Sequence, residues 1–343
     1  MESEYIKRLI DDEIVNTIGC TNISSFGYIG AIIAKYATGM LTGLKIEMSS
    51  LVYKNTVNVC IPYCGSPGLS LAVILGYLMD NSEKGLELFA DMNEHILAIA
   101  KNMIPHIECE LTHKMYDKYL YIQAIAYTTT ETIKICIEDE YDNITLVERN
   151  NYVVFKRDTD CDHMCNPKKF DKVEDIVDFV NNCNIDDFSK LFNYADMQYN
   201  RVDDLIMLKN GTYALKDNIL DLNEMCYPLH QYIYYASKTR MDGDMFQTYA
   251  LAGSGNLGIG VFVSACFISK AAMVGDEVKK RAILFAFLLS VTYKFRTCVA
   301  NAMCGSALAT GFSAAAVACY ISGGSIKQIC DSINNYIAAS FGV

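Results

Sequence analysis

No apolar signal-peptide core opens this 343-residue chain; its first residues, MESEYIKRLIDDE, are charged. Basic residues are also scarce. Lys and Arg number 29 against 40 Asp and Glu, a formal net charge of −11. An acidic surface does not seek nucleic acid or an anionic membrane, and no run of like charge is long enough to reverse that. Internal repeats and low-complexity linkers are lacking too, which leaves no repeat architecture to consider. The one long stretch without charge, Gly305 to Ile326, is poor in Leu, Ile and Phe and rich in Ala, Ser and Gly. It is long enough to span a bilayer, but its composition predicts a tightly packed helix inside a soluble core.

What is present is ample for folding. Hydrophobic residues make up 52% and charged residues 20%, outside the disordered range. The length suggests roughly two domains of about 150 residues. Fourteen cysteines, scattered through apolar stretches with no secretion signal, fit a reducing cytoplasm better than a disulfide framework.

Three zones differ in texture. Residues 1–104 read as mostly helical, with apolar helical stretches at Ile14 to Tyr36 and Leu69 to Met79. Between them Lys45 to Pro62 reads as strand and loop, and Pro62 to Gly68 as turn chemistry feeding a helix. Residues 105–228 read as an α+β insertion. Ile133, Ile135 and Ile137 alternate, and turns at Asp142-Asn143 and Asn150-Asn151 predict hairpins. Two amphipathic helices follow over 170–207. Residues 229–343 read as helices rich in Gly, Ala and Ser. The expected class is α+β: a helical core from the two terminal zones with a hairpin-bearing insertion between them.

Local motifs each leave two readings open. Gly253, Gly255 and Gly258 satisfy G-x-G-x-x-G after a short strand at Phe246 to Ala252, with Glu277 about 20 residues on. That suits nucleotide binding, yet no βαβ rhythm follows. More generally, small residues before a helix expose N–H groups to an anion, or simply turn the chain in a crowded core. Cys20, ahead of an apolar helix, is placed for a base or nucleophile, or for a buried structural thiol. Cys161, His163 and Cys165 need a fourth ligand, with Cys183 and His230 as candidates, or form a solvated loop. Cys298, Cys304, Cys319 and Cys330 match no ferredoxin spacing. His113 has no nameable partner.

In order along the chain these motifs resemble the L-cysteine desulfidase family, related to the α-domain of iron–sulfur L-serine dehydratases. Its G-C-T-E-P is similar to Gly19-Cys20-Thr21-Asn22-Ile23, and its K-N-G to Lys54-Asn55-Thr56. The Pro-Gly turn resembles Pro62 to Gly68, with Leu75-Gly76 closing the helix. Gly85 to Leu88 fits G-L-E-V/L, Arg240-Met241-Asp242-Gly243 fits R-M-G-G, and Ala252 to Ile259 fits S-G-S-G-N-Q-G-I. Cys304-Gly305-Ser306 through Gly323-Gly324 resembles the C-G-C to L-L-G-G segment.

The resemblance implies a cytoplasmic lyase with a 4Fe–4S cluster held by three cysteines. It would eliminate sulfide from L-cysteine, giving pyruvate and ammonia, or water from L-serine. Cys20 matches the proposed base and Cys304 one cluster ligand. Arg240 and the turn Gly253, Ser254, Gly255 and Asn256 suit the substrate carboxylate. Departures accompany the match. Asn22 replaces the Glu, Ser306 replaces the second cysteine of C-G-C, and Val343 comes before the family's last cysteine segment. The expectation is a truncated, split or cluster-less member, alone, as a homo-oligomer, or with a partner chain carrying that segment. The alternative is a non-catalytic relative that binds an amino acid or a partner subunit; nucleotide binding stands third.

Overall fold

The computed structural model describes residues 2–116, 120–157, 170–210, 222–297 and 304–341, and for 209–210 and 222–227 the backbone alone. Helix α1 (Glu2–Glu13) buries Ile6, Leu9 and Ile10, one apolar stripe at helical spacing. Strand β1 (Ile14–Ile18) follows without a break. It pairs antiparallel with β8 (Gln247–Leu251), Ile14 opposite Leu251 and Ile18 opposite Gln247. The helical expectation for Ile14 to Ile18 is therefore corrected. These five residues are rich in β-branched side chains, and a strand remote in sequence supplies their hydrogen bonds.

Next come α2 (Thr21–Tyr36), β2 (Leu41–Ser49), α3 (Ser50–Thr56), α4 (Leu69–Met79) and α5 (Glu94–Met103). The short helix α3 lies where strand and loop were expected; the Ser49 hydroxyl caps it by accepting from Val52 N. Strands β3 (Glu108–Lys114), β4 (Tyr121–Thr128), β5 (Thr132–Glu138), β6 (Ile144–Arg149) and β7 (Tyr152–Lys156) join β2 in one sheet. Its order is β3-β2-β4-β5-β6-β7, antiparallel except for the parallel β2–β3 pair. The hairpins fall at the predicted turns. Ile133, Ile135 and Ile137 are fully buried on one face, the period-two pattern realised.

Helices α6 (Val173–Asn182) and α7 (Ser189–Asn210) match the two amphipathic segments. Then come α8 (Leu222–Met241), β8, α9 (Gly255–Ala271), α10 (Asp276–Arg296), α11 (Gly305–Ile321) and α12 (Ile326–Phe341). No described helix is long and apolar enough to cross a membrane. This is an α+β fold.

Two apolar cores result. One gathers α1, β1, α6, α7 and the C-terminal helices around Phe262, Phe267, Phe285 and Phe287. The other gathers α2, α4 and one face of the six-stranded sheet around Phe26, Ile74 and Phe89. Cys20 belongs to the second, while β1, just before it, contributes to the first. The start of α2 thus lies where the chain passes from one core to the other.

Candidate functional site

Cys20 owes its place to the residue before it. Gly19 has φ +73°, a left-handed conformation, and a Cβ there would stand 2.2 Å from Pro62 Cγ. Glycine alone makes that turn without strain. Cys20 then becomes the N-cap of α2, and its carbonyl accepts from Ser24 N at 2.9 Å. The thiol is 7% exposed. Pro62 sits in a loop tied to the end of α8: Cys60 N donates to Met241 O at 3.0 Å and Tyr63 N to Gly243 O at 2.8 Å. The loop links Cys20 to the segment carrying Arg240.

Arg240 is 2% exposed, among the largest fully buried side chains of the protein. Its Nη1 donates to Asn256 Oδ1 at 2.9 Å. Its Nε and Nη2 are buried without a hydrogen-bond partner. Burial lowers the guanidinium pKa, and the Cys20 and Tyr141 anionic forms counter that. Gly255 makes room for this side chain. A Cβ there would fall 2.4 Å from Arg240 Cζ, so the guanidinium lies directly on the first turn of α9.

That first turn follows the bend Ala252-Gly253-Ser254. Ser254 is the N-cap of α9; its Oγ accepts from Leu257 N at 3.3 Å and lies 2.7 Å from Ser306 Oγ. The hydroxyl pair joins the starts of α9 and α11. Strand β8 precedes α9, but it pairs antiparallel with β1. The crossover to a parallel neighbour that a dinucleotide fold requires is missing among the described residues. Glu277, which that reading needs on a ribose, instead pairs with Arg281.

Two residues to which the sequence assigned no site role enter beside Cys20, Asn22 directly and Tyr141 through it. Asn22 Nδ2 donates to Tyr141 Oη at 3.2 Å and lies 3.8 Å from Cys20 Sγ. Tyr141 comes from the turn between β5 and β6 and is 6% exposed. Burial pushes its phenol far above the ordinary range. Nearby in the chain, Glu13 at the end of α1 has its carboxyl raised to about 7, by burial first and then by Glu140 and Asp12, with Lys294 opposing. Its carbonyl accepts from Ala252 N at 3.0 Å, beside the Gly253 bend.

The structure thus brings Cys20, Arg240, Ser254, Gly255 and Asn256 into one neighbourhood, with Gly253 in the bend. Cys304 is exposed at the N-cap of α11, two residues before the Ser306 hydroxyl that meets Ser254. No group of three His, Cys, Asp or Glu side chains is placed to hold a metal ion among the described residues. Cys161, His163, Cys165 and Cys298 lie outside the described residues. Cys183 directs its thiol to Val180 O, and His230 stacks on Tyr234. His113 stacks on Tyr53, with ring centroids 4.1 Å apart.

The family described as serine dehydratase alpha chain matches residues 83–343. The chain belongs to the serine dehydratase alpha chain family. The match takes in Arg240, the Gly253 to Asn256 turn and Cys304, while Cys20 lies before it. Relatives extend the similarity across the chain. A UPF0597 protein of Clostridium perfringens (strain SM101 / Type A) is 26% identical over 98% of this chain and 81% of its own length. One from Fervidobacterium nodosum is 26% identical over 98% and 79%, and one from Thermosipho africanus 28% over 98% and 82%. No solved structure matches the chain.

Proposed function

We propose that this serine dehydratase alpha chain family member binds a small α-amino acid at Arg240 and eliminates its β-substituent, with L-cysteine or L-serine as substrate. The observation that carries this reading is the pair of buried, unpartnered guanidinium nitrogens on Arg240. An unpaired buried charge is strongly unfavourable, and a carboxylate accepts two parallel N–H bonds from such a fork. The N–H groups at the start of α9 add to the same attraction. Cys20 interacts electrostatically with Arg240. In its thiolate form it takes the Cα proton of a substrate so held. The carbon–hydrogen electron pair forms the double bond, and the Cβ–S or Cβ–O bond breaks with its pair on the leaving group. The aminoacrylate then tautomerises and hydrolyses to pyruvate and ammonia.

A 4Fe–4S cluster supplies Lewis acidity for the leaving group in the family that the sequence resembles. Among the described residues the donor set does not fit one. Cys304 is exposed, and no second and third ligand converge on it among the described residues. A second copy or a partner chain with further cysteines belongs to the same proposal. One second reading, favoured by the lack of converging cysteines among the described residues, is a relative that binds the amino acid without turnover.

One experiment separates these readings: thermal stability with L-cysteine and with L-serine, alongside assays for pyruvate and sulfide under anaerobic conditions. Stabilisation with product that is lost in Cys20→Ala supports the lyase. Stabilisation without product supports the binding relative. No stabilisation and no product would remove Arg240 as an amino-acid site.

A further inference from the structure

Arg240 accounts for only one end of an amino acid. Any small carboxylate satisfies its two unpartnered nitrogens equally well. An α-amino acid also carries an ammonium, whose N–H groups need an acceptor. The starts of α2 and α9 offer none by themselves. Helix N-termini carry partial positive charge and repel a cation. A site made of Arg240 and helix starts alone would therefore prefer carboxylates that have no ammonium.

Asn22 brings an acceptor. It is the second residue of α2, two positions after Cys20, and is 7% exposed. Its Nδ2 donates to Tyr141 Oη at 3.2 Å and lies 3.8 Å from Cys20 Sγ. Its Oδ1 is buried with no hydrogen-bond partner. Tyr141, which holds the other end of the amide, is itself fixed to α2. Ser25 donates its Oγ to Tyr141 O at 2.5 Å and to Thr21 O at 3.0 Å, so the β5–β6 turn is clamped onto the helix that carries Asn22. A buried amide oxygen without a donor is costly, as is a buried guanidinium without acceptors. The two shortfalls are opposite in kind: a lone acceptor on Asn22 and two lone donors on Arg240. They belong to one junction, because the loop that packs Pro62 against Gly19 also donates from Cys60 N to Met241 O. A zwitterionic α-amino acid carries the complement of both on a single carbon.

We propose that Asn22 is the specificity-determining residue of this site, its Oδ1 accepting from the α-ammonium of the amino acid whose carboxylate sits on Nε and Nη2 of Arg240. The proposal rests on the reading of Arg240 as the carboxylate site and deepens it by naming the substrate class. Zwitterionic α-amino acids are selected over 2-hydroxy acids, 2-oxo acids and plain carboxylates of the same size, none of which offers an N–H to the buried oxygen. The carbon between ammonium and carboxylate is Cα. An ammonium held on Asn22 brings that carbon beside the thiol that the same amide touches, which suits removal of the Cα proton by Cys20. The β5–β6 turn gains a role as well. Through Tyr141 it holds Nδ2 and so leaves Oδ1 for the ligand.

Ligand pairs that differ only in the ammonium test this assignment. Dissociation constants are measured by calorimetry and thermal stabilisation of the full chain. The pairs are L-alanine with propionate, which have no leaving group to lose, and L-serine with 3-hydroxypropionate. The parent is expected to bind each amino acid about tenfold or more tightly than its partner without the ammonium, the worth of one hydrogen bond to a charged group. Asn22→Leu, close in size, is expected to erase that preference while propionate binds as before. N,N,N-trimethyl-L-alanine keeps the charge but has no N–H, and is expected to bind the parent no better than propionate. That measurement keeps the test decisive if Asn22→Leu fails to fold. Replacing a purely structural asparagine, or one that serves the carboxylate, would weaken both members of a pair alike, and this result would overturn the proposal. A parent that binds both members equally would overturn it too. In that case, propionate binding that disappears in Arg240→Met leaves the carboxylate reading standing. If neither member binds the parent, the carboxylate reading falls and this proposal falls with it.

Discussion

Arg240 concentrates the conflict between stability and function at the scale of a residue. Its charge sits in the interior with one hydrogen bond and two unpartnered nitrogens. Replacing a buried, incompletely paired charge by an apolar side chain of similar length is often neutral or stabilising by a few kcal/mol. Arg240→Met is therefore expected to match or exceed the parent in stability to urea, by about 1 kcal/mol or more. The same variant is expected to lose any stabilisation by L-cysteine or L-serine. A strongly destabilised Arg240→Met would show that the guanidinium is fully satisfied in the folded protein. The sequence singled out Arg240 through a motif. Its burial and its two unpartnered nitrogens were invisible there, because they depend on Gly255 and Asn256 packing over it.

At the scale of elements, the site is made where α2 and α9 start and α8 ends, with α11 tied to α9 through Ser254 and Ser306. Gly255 is the joint between two of these elements. Gly255→Ala would place a methyl 2.4 Å from Arg240 Cζ, closer than any real contact, so the arginine or the helix must move. Overpacking of this kind costs about 1–3 kcal/mol. A drop of that size in unfolding free energy, with loss of the amino-acid-induced shift, is the expected outcome. A variant that keeps both would show that the guanidinium position is not fixed by α9. The start of α9 was legible as small residues before an apolar run. The guanidinium lying on it was not, since no local pattern ties position 240 to position 255. Tyr141 illustrates the same limit. The stretch Glu138 to Asn143 reads as an ordinary polar turn, and only the clamp by Ser25 turns its tyrosine inward.

For the whole molecule, Glu13 lies between parts that are distant in sequence: the end of α1, the β8–α9 bend, Glu140 of the β5–β6 turn and Lys294 of α10. Its carboxyl has a folded-state pKa of about 7 against an ordinary value of 4.5. The folded protein therefore favours the protonated form more than the unfolded chain does. Below the unfolded value both states hold the proton, and the full stability is present. As pH rises through the folded value, the buried carboxyl ionises at a cost, and stability is lost. Glu13→Gln keeps the shape without the titration. Relative to the parent it is expected to gain stability between acid and mildly alkaline pH, by on the order of 3 kcal/mol at the upper end. Urea unfolding at several pH values reads this difference directly. A difference that stays flat with pH would place the carboxyl in contact with solvent.

The sequence by itself determined what local chemistry can encode. The alternating isoleucines and polar turns gave the hairpins their places, and the apolar stripes gave the amphipathic helices theirs. The ordered motifs point to the family, and with it to Cys20, Arg240 and the Gly253 to Asn256 turn. Tertiary structure decided the rest. Ile14 to Ile18 is a strand because β8, more than 200 residues away, is there to pair with it. Cys304, a cluster ligand by motif, stands exposed without converging partners among the described residues. Asn22, Tyr141 and Glu13 enter the picture through burial and through neighbours remote in the chain. The physical reason is common to all of these. Periodicity and turn propensity act within a few residues, whereas desolvation, orphaned donors and shared hydrogen bonds arise only when distant segments exclude water together.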